Sequence, residues 1–301
     1  MNRFRKEEIA AASVDFSVPP TPFSWSVSRH LLFRRCRRAY FLHYYLAQGG
    51  WDPYADPLLR FTWTAKKTLL FHEWVEHHLE EILRRSFDTL RNVPFPFRKR
   101  MLGTKFQKEL IALREVWRSR EGFSGSHDPA KALNELKDAL VSFLSSESCA
   151  AITHGQNLTL FNKAFKPSFS FNGLELWYNP GLIWREGSML ASFRIHLEKP
   201  SAEFIKAESD MFALSAKLHT GTKETLSIFR YRSNLEWKEI QSAGNAESAE
   251  RRICKDAEEM QELASGESVN MLDFPVCTEK HCSSCRFAGV CAAITEQFGE
   301  I

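Results

Sequence analysis

The stretch Cys277-Thr-Glu-Lys-His281-Cys282-Ser-Ser-Cys285-Arg-Phe-Ala-Gly-Val-Cys291 ends in three cysteines spaced C-x2-C-x5-C. Two residues between thiolates let both sulfurs face one centre from a tight turn, and the longer gap brings the chain around to a third side. The fourth ligand must come from elsewhere, and the candidates are Cys277, His281 and a distant cysteine such as Cys36. The spacing by itself is as typical of zinc as of iron–sulfur, so it predicts a metal-binding tail without choosing the metal.

A second cysteine segment lies far upstream, with 282 − 36 = 246 positions between Cys36 and Cys282. It reads Ser28-Arg-His-Leu-Leu-Phe-Arg-Arg-Cys36-Arg-Arg-Ala-Tyr-Phe-Leu-His-Tyr-Tyr45. This segment resembles the first motif of the RecB-like PD-(D/E)XK nucleases of the AddB and CRISPR-associated exonuclease type. In that group, one N-terminal cysteine joins a C-terminal C-x2-C-x5-C to hold a four-iron four-sulfur cluster.

The resemblance implies a set of cluster ligands. A 4Fe-4S cluster would be held by Cys36, Cys282, Cys285 and Cys291, with zinc as the alternative and Cys277 as a spare. The family usually has Pro after its first cysteine, whereas Arg37 stands there in this chain, and the metal chemistry does not require that Pro. Such a cluster would join the first helix to the tail and would act as a structural group before a redox one.

Apolar periodicity predicts helices first and a sheet later. Helical spacing extends from Arg29 to about Leu46, with Cys36 inside the helix, and three more helices follow over about 66–85, 97–120 and 128–144. Short apolar or alternating runs then indicate strands over 158–161, 169–171, 174–177, 182–184 and 189–195. A helix over 202–218, strands over 226–231 and 235–240, and a charged helix over 246–265 complete the pattern.

This order predicts an α/β fold. The resemblance makes it a PD-(D/E)XK, or restriction-endonuclease-like, mixed sheet flanked by helices, with a C-terminal cysteine-rich tail that binds the cluster. We expect a proline-containing arm over 1–22 and one nuclease-like domain over 23–301. Within it, 23–150 forms the helical part with the first cluster ligand, 151–270 the sheet core and 271–301 the iron–sulfur tail.

Composition narrows the class of protein. The chain has 301 residues, 44% of them hydrophobic and 26% charged, which is enough apolar material for a globular core. The net charge of +3 excludes a polycation, and seven cysteines without a secretion signal do not indicate a disulfide framework. No stretch of about 18 apolar residues is present. We therefore expect a soluble, cytoplasmic protein without a membrane partner.

The catalytic positions of the family are largely substituted. In such nucleases, carboxylates hold Mg²⁺ or Mn²⁺ beside the scissile phosphate and a Lys orients the attacking water. On the resemblance, the family His corresponds to His77, and the Asp that ends a strand corresponds to Gly181 in Asn179-Pro-Gly181. The acidic residue and the Lys of the next strand correspond to Arg194 and His196. The family Gln-x-x-x-Tyr corresponds to Asp210 and Leu214.

These substitutions predict a protein without nuclease activity that serves as a DNA-binding or partner-binding scaffold in DNA processing, with a helicase as one kind of partner. Two alternatives remain. An active metal-dependent nuclease with Mg²⁺ or Mn²⁺ would need displaced ligands, for which Glu236-Trp-Lys238 offers the D/E-x-K pattern, although a solvated strand face explains it as well. The other alternative is an interaction module in which zinc takes the place of the cluster and joins the first helix to the tail.

A basic run surrounds Cys36. Arginines occupy positions 34, 35, 37 and 38 without an acidic neighbour, and aromatic residues alternate with them. Cationic side chains beside exposed rings can follow a phosphate backbone and stack on unpaired bases. We therefore assign nucleic-acid binding to Arg34, Arg35, Arg37 and Arg38, while the opposing interpretation is a solvated helix face over a core of aromatic residues.

Overall fold

A computed structural model of the chain describes residues 17–18, 21–119, 128–154, 158–160, 166–265, 269–276, 282–283 and 285–298. The chain divides into two compact units, each discontinuous in sequence. The cysteine unit comprises Met1–Leu70, Ser170–Leu176 and Ile253–Ile301. The sheet unit comprises Phe71–Phe169 and Trp177–Arg252. The helical segment 23–150 inferred from the sequence is therefore shared between the two units.

Ten α-helices are described, together with a π-helical turn over Leu42–Leu46 and 3-10 turns over Thr89–Asn92 and Met271–Asp273. The α-helices are α1 (Val27–Arg35), α2 (Arg37–Phe41), α3 (Pro57–Lys67), α4 (Phe71–Asp88), α5 (Phe95–Ser119), α6 (Pro129–Leu144), α7 (Glu147–His154), α8 (Ala202–Thr220), α9 (Ala246–Glu262) and α10 (Ala288–Phe298). In the described part of the chain, none of these helices has both the length and the apolar character needed to cross a membrane.

Ten strands form three sheets. They are β1 (Ser17–Val18), β2 (Ser24–Trp25), β3 (Leu158–Leu160), β4 (Ser168–Phe171), β5 (Leu174–Trp177), β6 (Leu182–Glu186), β7 (Met189–His196), β8 (Thr225–Ser233), β9 (Glu236–Ala243) and β10 (Val269–Asn270). The largest sheet has the order β3-β6-β7-β8-β9, in which β7 and β8 are parallel and the other neighbours antiparallel. The smaller sheets are β2-β5-β4 and β1-β10. The fold is thus mixed α/β, with mixed sheets flanked by helices.

The cysteine unit has a core rich in aromatic residues. Phe274 stacks or tilts against three fully buried rings, those of Tyr40, Phe41 and Tyr45, at centroid distances of 6.1, 5.2 and 6.0 Å. Tyr40 also meets Phe33 edge-on at 5.0 Å. Because aromatic side chains bury large apolar areas, these contacts join the α1–α2 segment to the chain that precedes the cysteine tail.

A buried carboxylate strengthens the same connection. Asp256 of α9 is fully buried, and its Oδ2 accepts from Trp25 Nε1 at 2.8 Å and lies 2.6 Å from His30 Nδ1. Its Oδ1 accepts from Arg34 Nη2 at 2.7 Å. Burial by itself would raise the pKa of Asp256, but the hydrogen bonds from His30, Trp25 and Arg34 and the electrostatic attraction of His30 outweigh it, so this pKa is lowered.

The sheet unit places its largest sheet against helices α4 and α8. Leu182, Trp184 and Phe193 of β6 and β7 belong to one buried cluster with residues of α4 to α7. Gly221, in the left-handed conformation with φ +68, ends α8. This packing holds the end of β7 and the flank of α4 in fixed positions, which matters for the cleft described below.

Several sequence-based boundaries are confirmed. Helix α6 begins after Asp128, whose side chain accepts from Ala130 N, and helices α5, α8 and α9 and strands β4 to β9 lie where the pattern indicates. Ser26 caps α1 by accepting from Arg29 N at 3.1 Å. The order of helices and strands was therefore readable from periodicity and capping residues.

One predicted helix was wrong in detail, and two strand pairings were not foreseen. The expected helix over 66–85 is interrupted, because α3 ends at Lys67 and α4 begins at Phe71, with Thr68 in an extended conformation between them. Strands β4 and β5 do not continue the largest sheet, since β5 pairs in parallel with β2. Ser17–Val18, within the arm over 1–22, form a strand that pairs with β10.

Candidate functional site

Cys36 lies at a break between two helices and not inside one, which corrects the expectation of a continuous helix from Arg29 to Leu46. Its backbone is extended, with φ −159 and ψ 109, so that it ends α1 and begins α2. Its Sγ accepts a hydrogen bond from Ala39 N at 3.4 Å. The backbone amide of Arg38 donates to Pro275 O at 3.2 Å. Position 37 is consequently the first residue of a helix, where Pro is well tolerated.

The four proposed ligands all belong to the cysteine unit. Cys282 and Cys285 are joined by a turn in which Cys285 N donates to Cys282 O at 3.1 Å, and Cys291 lies in the first turn of α10. Cys36 is buried, and the other three are half-buried. Cys277 and His281, the alternative fourth ligands, lie outside the described residues.

The four thiols influence one another electrostatically. Burial raises the pKa of Cys291 to about 12, and the thiols of Cys285, Cys36 and Cys282 add to this effect. Burial likewise raises the pKa of Cys285, with further contributions from Cys36 and Cys282. Two chain segments separated by most of the sequence therefore bring their thiols into one neighbourhood.

This neighbourhood suits a soft metal centre, although the thiols are not drawn together to ligating geometry. Within the described ranges, no group of three or more His, Cys, Asp or Glu side chains is arranged to hold a metal ion. Burial that keeps thiols protonated is reversed when a metal cation binds the thiolates. Arg38 is close enough to interact with Cys291 and Cys36, and Arg35 with Cys285, so cations are available to offset thiolate charge. Four thiolates fit iron–sulfur and zinc equally well.

The charges of the basic run around Cys36 are mostly paired within the chain. Arg34 donates to Glu259 and Asp256 at 2.9 and 2.7 Å, and Arg37 lies 3.5 Å from Glu259. Arg38 is only 3% exposed, and its Nε donates to Phe274 O at 2.7 Å. Three of the four arginines thus have intramolecular partners, because the acidic face of α9 lies against α1 and pairs with Arg34 and Arg37, and a backbone carbonyl holds Arg38. Arg34, Arg35 and Arg37 are nevertheless exposed.

In the sheet unit, the positions that match the nuclease site come together at one cleft. His77 on α4, Gly181 before β6, and Arg194 and His196 on β7 line a cavity of about 260 Å³. Three glutamates of α4, Glu73, Glu76 and Glu80, share this lining. The structure thus brings four of the matched positions together, while the acidic residues on α4 were not recognised from the sequence. Their i, i+3 and i, i+4 spacing was the available signal.

Gly181 cannot be replaced by Asp without a change of backbone. Its φ is +75, a conformation that residues with a side chain rarely adopt. A Cβ at this position would lie 2.6 Å from the carbonyl oxygen of Phe193 and 3.3 Å from Cγ of Arg194. The position that would carry a metal-binding Asp is thus closed to any side chain.

Arg194 occupies the cleft with its charge already balanced. Its Nε donates to Glu208 Oε2 at 3.1 Å, its Nη1 lies 3.7 Å from Glu80 Oε2, and its Nη2 donates to Asn179 O. Burial would lower the pKa of Arg194, but Glu208 and Glu80 raise it, so the guanidinium stays charged. Burial raises the pKa of Glu208 in spite of Arg194 and His196. A protein cation thus takes up the carboxylates that could otherwise attract a divalent ion.

His196 pairs with a third carboxylate, that of Glu76. Its Nδ1 lies 3.1 Å from Glu76 Oε2, and Glu76 Oε1 accepts from Leu197 N at 2.8 Å. The Nε2 atom is buried without a hydrogen-bond partner among the described residues. A histidine held in this way cannot take the place of the flexible cationic Lys of the family pattern.

The last two matching positions, on α8, take no part in the cleft lining. Asp210 is 1% exposed and bound by Lys206, Arg252 and the backbone N of Asn245, at 2.9, 2.9 and 3.0 Å. Leu214 is fully buried in the core. Asp210 therefore connects α8 to α9 and has no coordination capacity left for a metal ion.

The displaced D/E-x-K pattern lies on an edge strand. Glu236 and Lys238 are on β9, the last strand of the largest sheet, with side chains 76% and 47% exposed. They lie 3.8 Å from each other, and no other carboxylate joins them within the part of the chain that the structure describes. The pattern fits a solvated strand face.

Comparison with known proteins identifies no family. No family model and no curated protein matches this chain. Among solved structures, the crystal structure of SSO0001 is similar over 71% of this chain and 96% of its own, at 14% identity and a TM-score of 0.30.

Proposed function

We propose that this chain is a catalytically inactive protein of the RecB-like PD-(D/E)XK nuclease type that carries a 4Fe-4S cluster and acts as a DNA-binding or partner-binding scaffold. Cys36, Cys282, Cys285 and Cys291 would hold the cluster. The observation that carries the proposal is the gathering of these four thiols in one compact unit although the chain between Cys36 and Cys282 is most of the sequence.

The bound cluster would supply a rigid four-thiolate junction. Around it, the chain's own residues have defined roles. Arg38 and Arg35 offset the thiolate charge, Asp256 holds α1 through His30 and Arg34, and the rings around Phe274 exclude water from the junction. These contacts support a structural role, because each of them positions the α1–α2 break that carries Cys36.

Loss of catalysis is supported by the cleft of the sheet unit. A nuclease of this type needs acidic ligands that are free to bind a divalent ion. Here Gly181 leaves no space for one ligand, and Arg194 pairs with Glu80 and Glu208. We therefore expect that neither Mg²⁺ nor Mn²⁺ supports phosphodiester cleavage at this cleft.

The test is cleavage of end-labelled single- and double-stranded DNA by anaerobically purified protein, in Mg²⁺ and in Mn²⁺, after iron and sulfide have been quantified. We expect about four iron and four sulfide per chain and no cleavage. If the protein contains zinc and no sulfide, the metal centre is a zinc site and not an iron–sulfur cluster. Cleavage lost in Glu236→Ala but kept in Glu247→Ala would overturn the inactive assignment. The two carboxylates make a matched pair because both side chains are 76% exposed.

A further inference from the structure

Arg29 of α1 is a buried cation with no carboxylate partner among the described residues. It is 3% exposed, its Nε donates to the Tyr40 hydroxyl at 3.0 Å, and its Nη1 donates to Ser24 O at 2.8 Å. Its Nη2 is buried without a hydrogen-bond partner in the described part of the chain. Because a buried charge that is not paired is costly, the structure leaves this guanidinium short of one anion.

Two lysines lie beside it at the end of α3. The Tyr44 ring has the Arg29 guanidinium carbon 4.4 Å from its centroid and the Lys66 ammonium 5.9 Å from it. Lys67 follows, exposed, with its ammonium 5.8 Å from the Trp63 ring. No carboxylate of the described residues forms an ion pair with Arg29, Lys66 or Lys67. The three cations therefore extend from a buried to an exposed position, with a half-buried ring beside the first two.

Neighbouring groups show the resulting positive potential. Burial, followed by the charges of Lys66, Arg286, Arg29 and Lys67, lowers the pKa of His43 to about 3. Burial and the charges of Lys67 and Arg29 also lower the pKa of Lys66. Arg286 reaches the same place, since its Nη1 donates to Lys66 O at 3.2 Å. An anion bound here would relieve repulsion that the described residues do not balance.

Aromatic side chains of the same region remain available to unpaired bases. Phe23, Tyr44 and Trp63 are half-buried, and Trp51 and Tyr54, which precede α3, are 70% and 95% exposed. Gly50 allows this segment to approach α3, because a Cβ there would collide with the carbonyl of Leu59 and lie 2.7 Å from Cβ of Trp63. Exposed rings beside uncompensated cations are typical of surfaces that bind single strands.

We propose that Arg29, Lys66 and Lys67 form a phosphate-binding site for single-stranded DNA, with the exposed rings before α3 stacking on its bases. The site differs from the Arg34–Arg38 run, whose charges are mostly paired within the chain. The proposal rests on the nucleic-acid part of the proposed function and does not depend on the identity of the metal centre. Lys66 and Lys67 would make the first phosphate contacts, and Arg29 would add the buried charge behind them.

The test is fluorescence anisotropy of full-length protein with a labelled single-stranded oligonucleotide, over a series of salt concentrations. Lys66→Gln combined with Lys67→Gln should weaken binding at least tenfold and lower the slope of log K against log salt by about 2, that is, about 1 for each lysine. Lys99→Gln combined with Arg100→Gln is the matched control, since it removes two adjacent exposed charges from α5 of the sheet unit, and it should change affinity less than twofold.

Two further arms separate the sources of the phosphate. Oligonucleotides with and without a 5′-phosphate distinguish binding of a strand end from binding of a backbone phosphate. Tighter binding of the phosphorylated oligonucleotide, or equal binding of both, supports the site if the lysine variant loses that binding. Equal binding by wild type and the lysine variant overturns this site but leaves the proposed function standing. Absence of DNA binding by wild-type protein overturns both the site and the nucleic-acid part of the proposed function. Stabilisation by inorganic phosphate without oligonucleotide binding also overturns the DNA assignment.

Discussion

The cysteine unit and the sheet unit treat their candidate ligands in opposite ways. In the cysteine unit, four thiols share one neighbourhood, and the nearby cations Arg35 and Arg38 would stabilise their ionised forms. In the sheet unit, Glu76 and Glu80 of the cleft lining and the neighbouring Glu208 are already bound to protein groups, Glu80 and Glu208 to Arg194 and Glu76 to His196. The first arrangement is open to an external metal centre, while the second is closed by internal charge.

This difference teaches that the placement of residues and their chemistry are separable. Folding gathers His77, Gly181, Arg194 and His196 at one cleft, because the order of strands and helices determines which positions meet there. Whether the cleft can bind a divalent ion depends on the charge of its side chains and on the space for oxygen ligands. The predictions below test the two regions against each other.

The largest effect is expected when a cluster ligand is removed. Cys36→Ser should abolish iron and sulfide retention and lower the free energy of unfolding by ~5 kcal/mol, the value that the chain-entropy estimate assigns to closing a loop of this length. Cys254→Ser is the control, because Cys254 is exposed and outside the ligand set. Iron analysis and chemical denaturation measure both effects. Full iron retention by Cys36→Ser would show that Cys36 is not a metal ligand and would contradict the contrast between the cysteine unit and the sheet unit.

Two buried carboxylates with arginine partners should respond differently to neutralisation. The pKa of Asp256 is lowered in the fold, so its stabilisation is present above its unfolded pKa and is lost as the pH falls through the folded pKa. The pKa of Glu208 is raised by burial, so its ionised form opposes folding at neutral pH. At pH 7, Asp256→Asn should cost ~3 kcal/mol and Glu208→Gln less than ~1 kcal/mol. Equal costs in urea unfolding would contradict this contrast.

Removal of the internal cation should open the cleft to metal. Arg194→Ala leaves Glu80 and Glu208 unpaired and should cost ~2 kcal/mol at pH 7, less than the full loss of a buried pair because Glu208 can take up a proton. That deficit should shrink as the pH falls, since the raised pKa of Glu208 then lets it become neutral. Millimolar Mn²⁺ should raise the melting temperature of Arg194→Ala, but not that of wild type or Arg194→Lys, in which a cation remains. An equal Mn²⁺ response in all three proteins would show that Arg194 does not block the cleft.

The smallest effect concerns the positive region around His43. Its folded pKa of about 3 lies below the unfolded value, so the unfolded chain takes up a proton first as the pH falls, and stability declines below about pH 6.5. From pH 7 to pH 5.5, wild type should lose ~1 kcal/mol more than His43→Gln. Urea unfolding at the two pH values measures this difference. The same acid sensitivity in both proteins would indicate that groups other than His43 cause it.

Local patterns were sufficient for most helices and strands, and they failed where tertiary partners compete with the backbone. The break at Cys36 has no Gly or Pro to announce it, since it arises when Arg38 N donates to Pro275 O and Ala39 N to Cys36 Sγ. The pairing of β5 with β2 was equally hidden, because a two-residue strand such as β2 carries too little periodicity to be recognised.

Sequence by itself determined the candidate ligands, the order of secondary structure and the chemical types available at each site. The charge state of those sites was decided only by the tertiary structure. From the sequence, the arginines around Cys36 were predicted to form a free cationic face. In the structure, Glu259, Asp256 and the carbonyl of Phe274, which come from distant segments, bind two of them. Conversely, Arg29 and Lys66 acquire their importance from the absence of such partners among the described residues. The physical reason is that electrostatic interaction depends on distance and burial in space, which residue order does not contain.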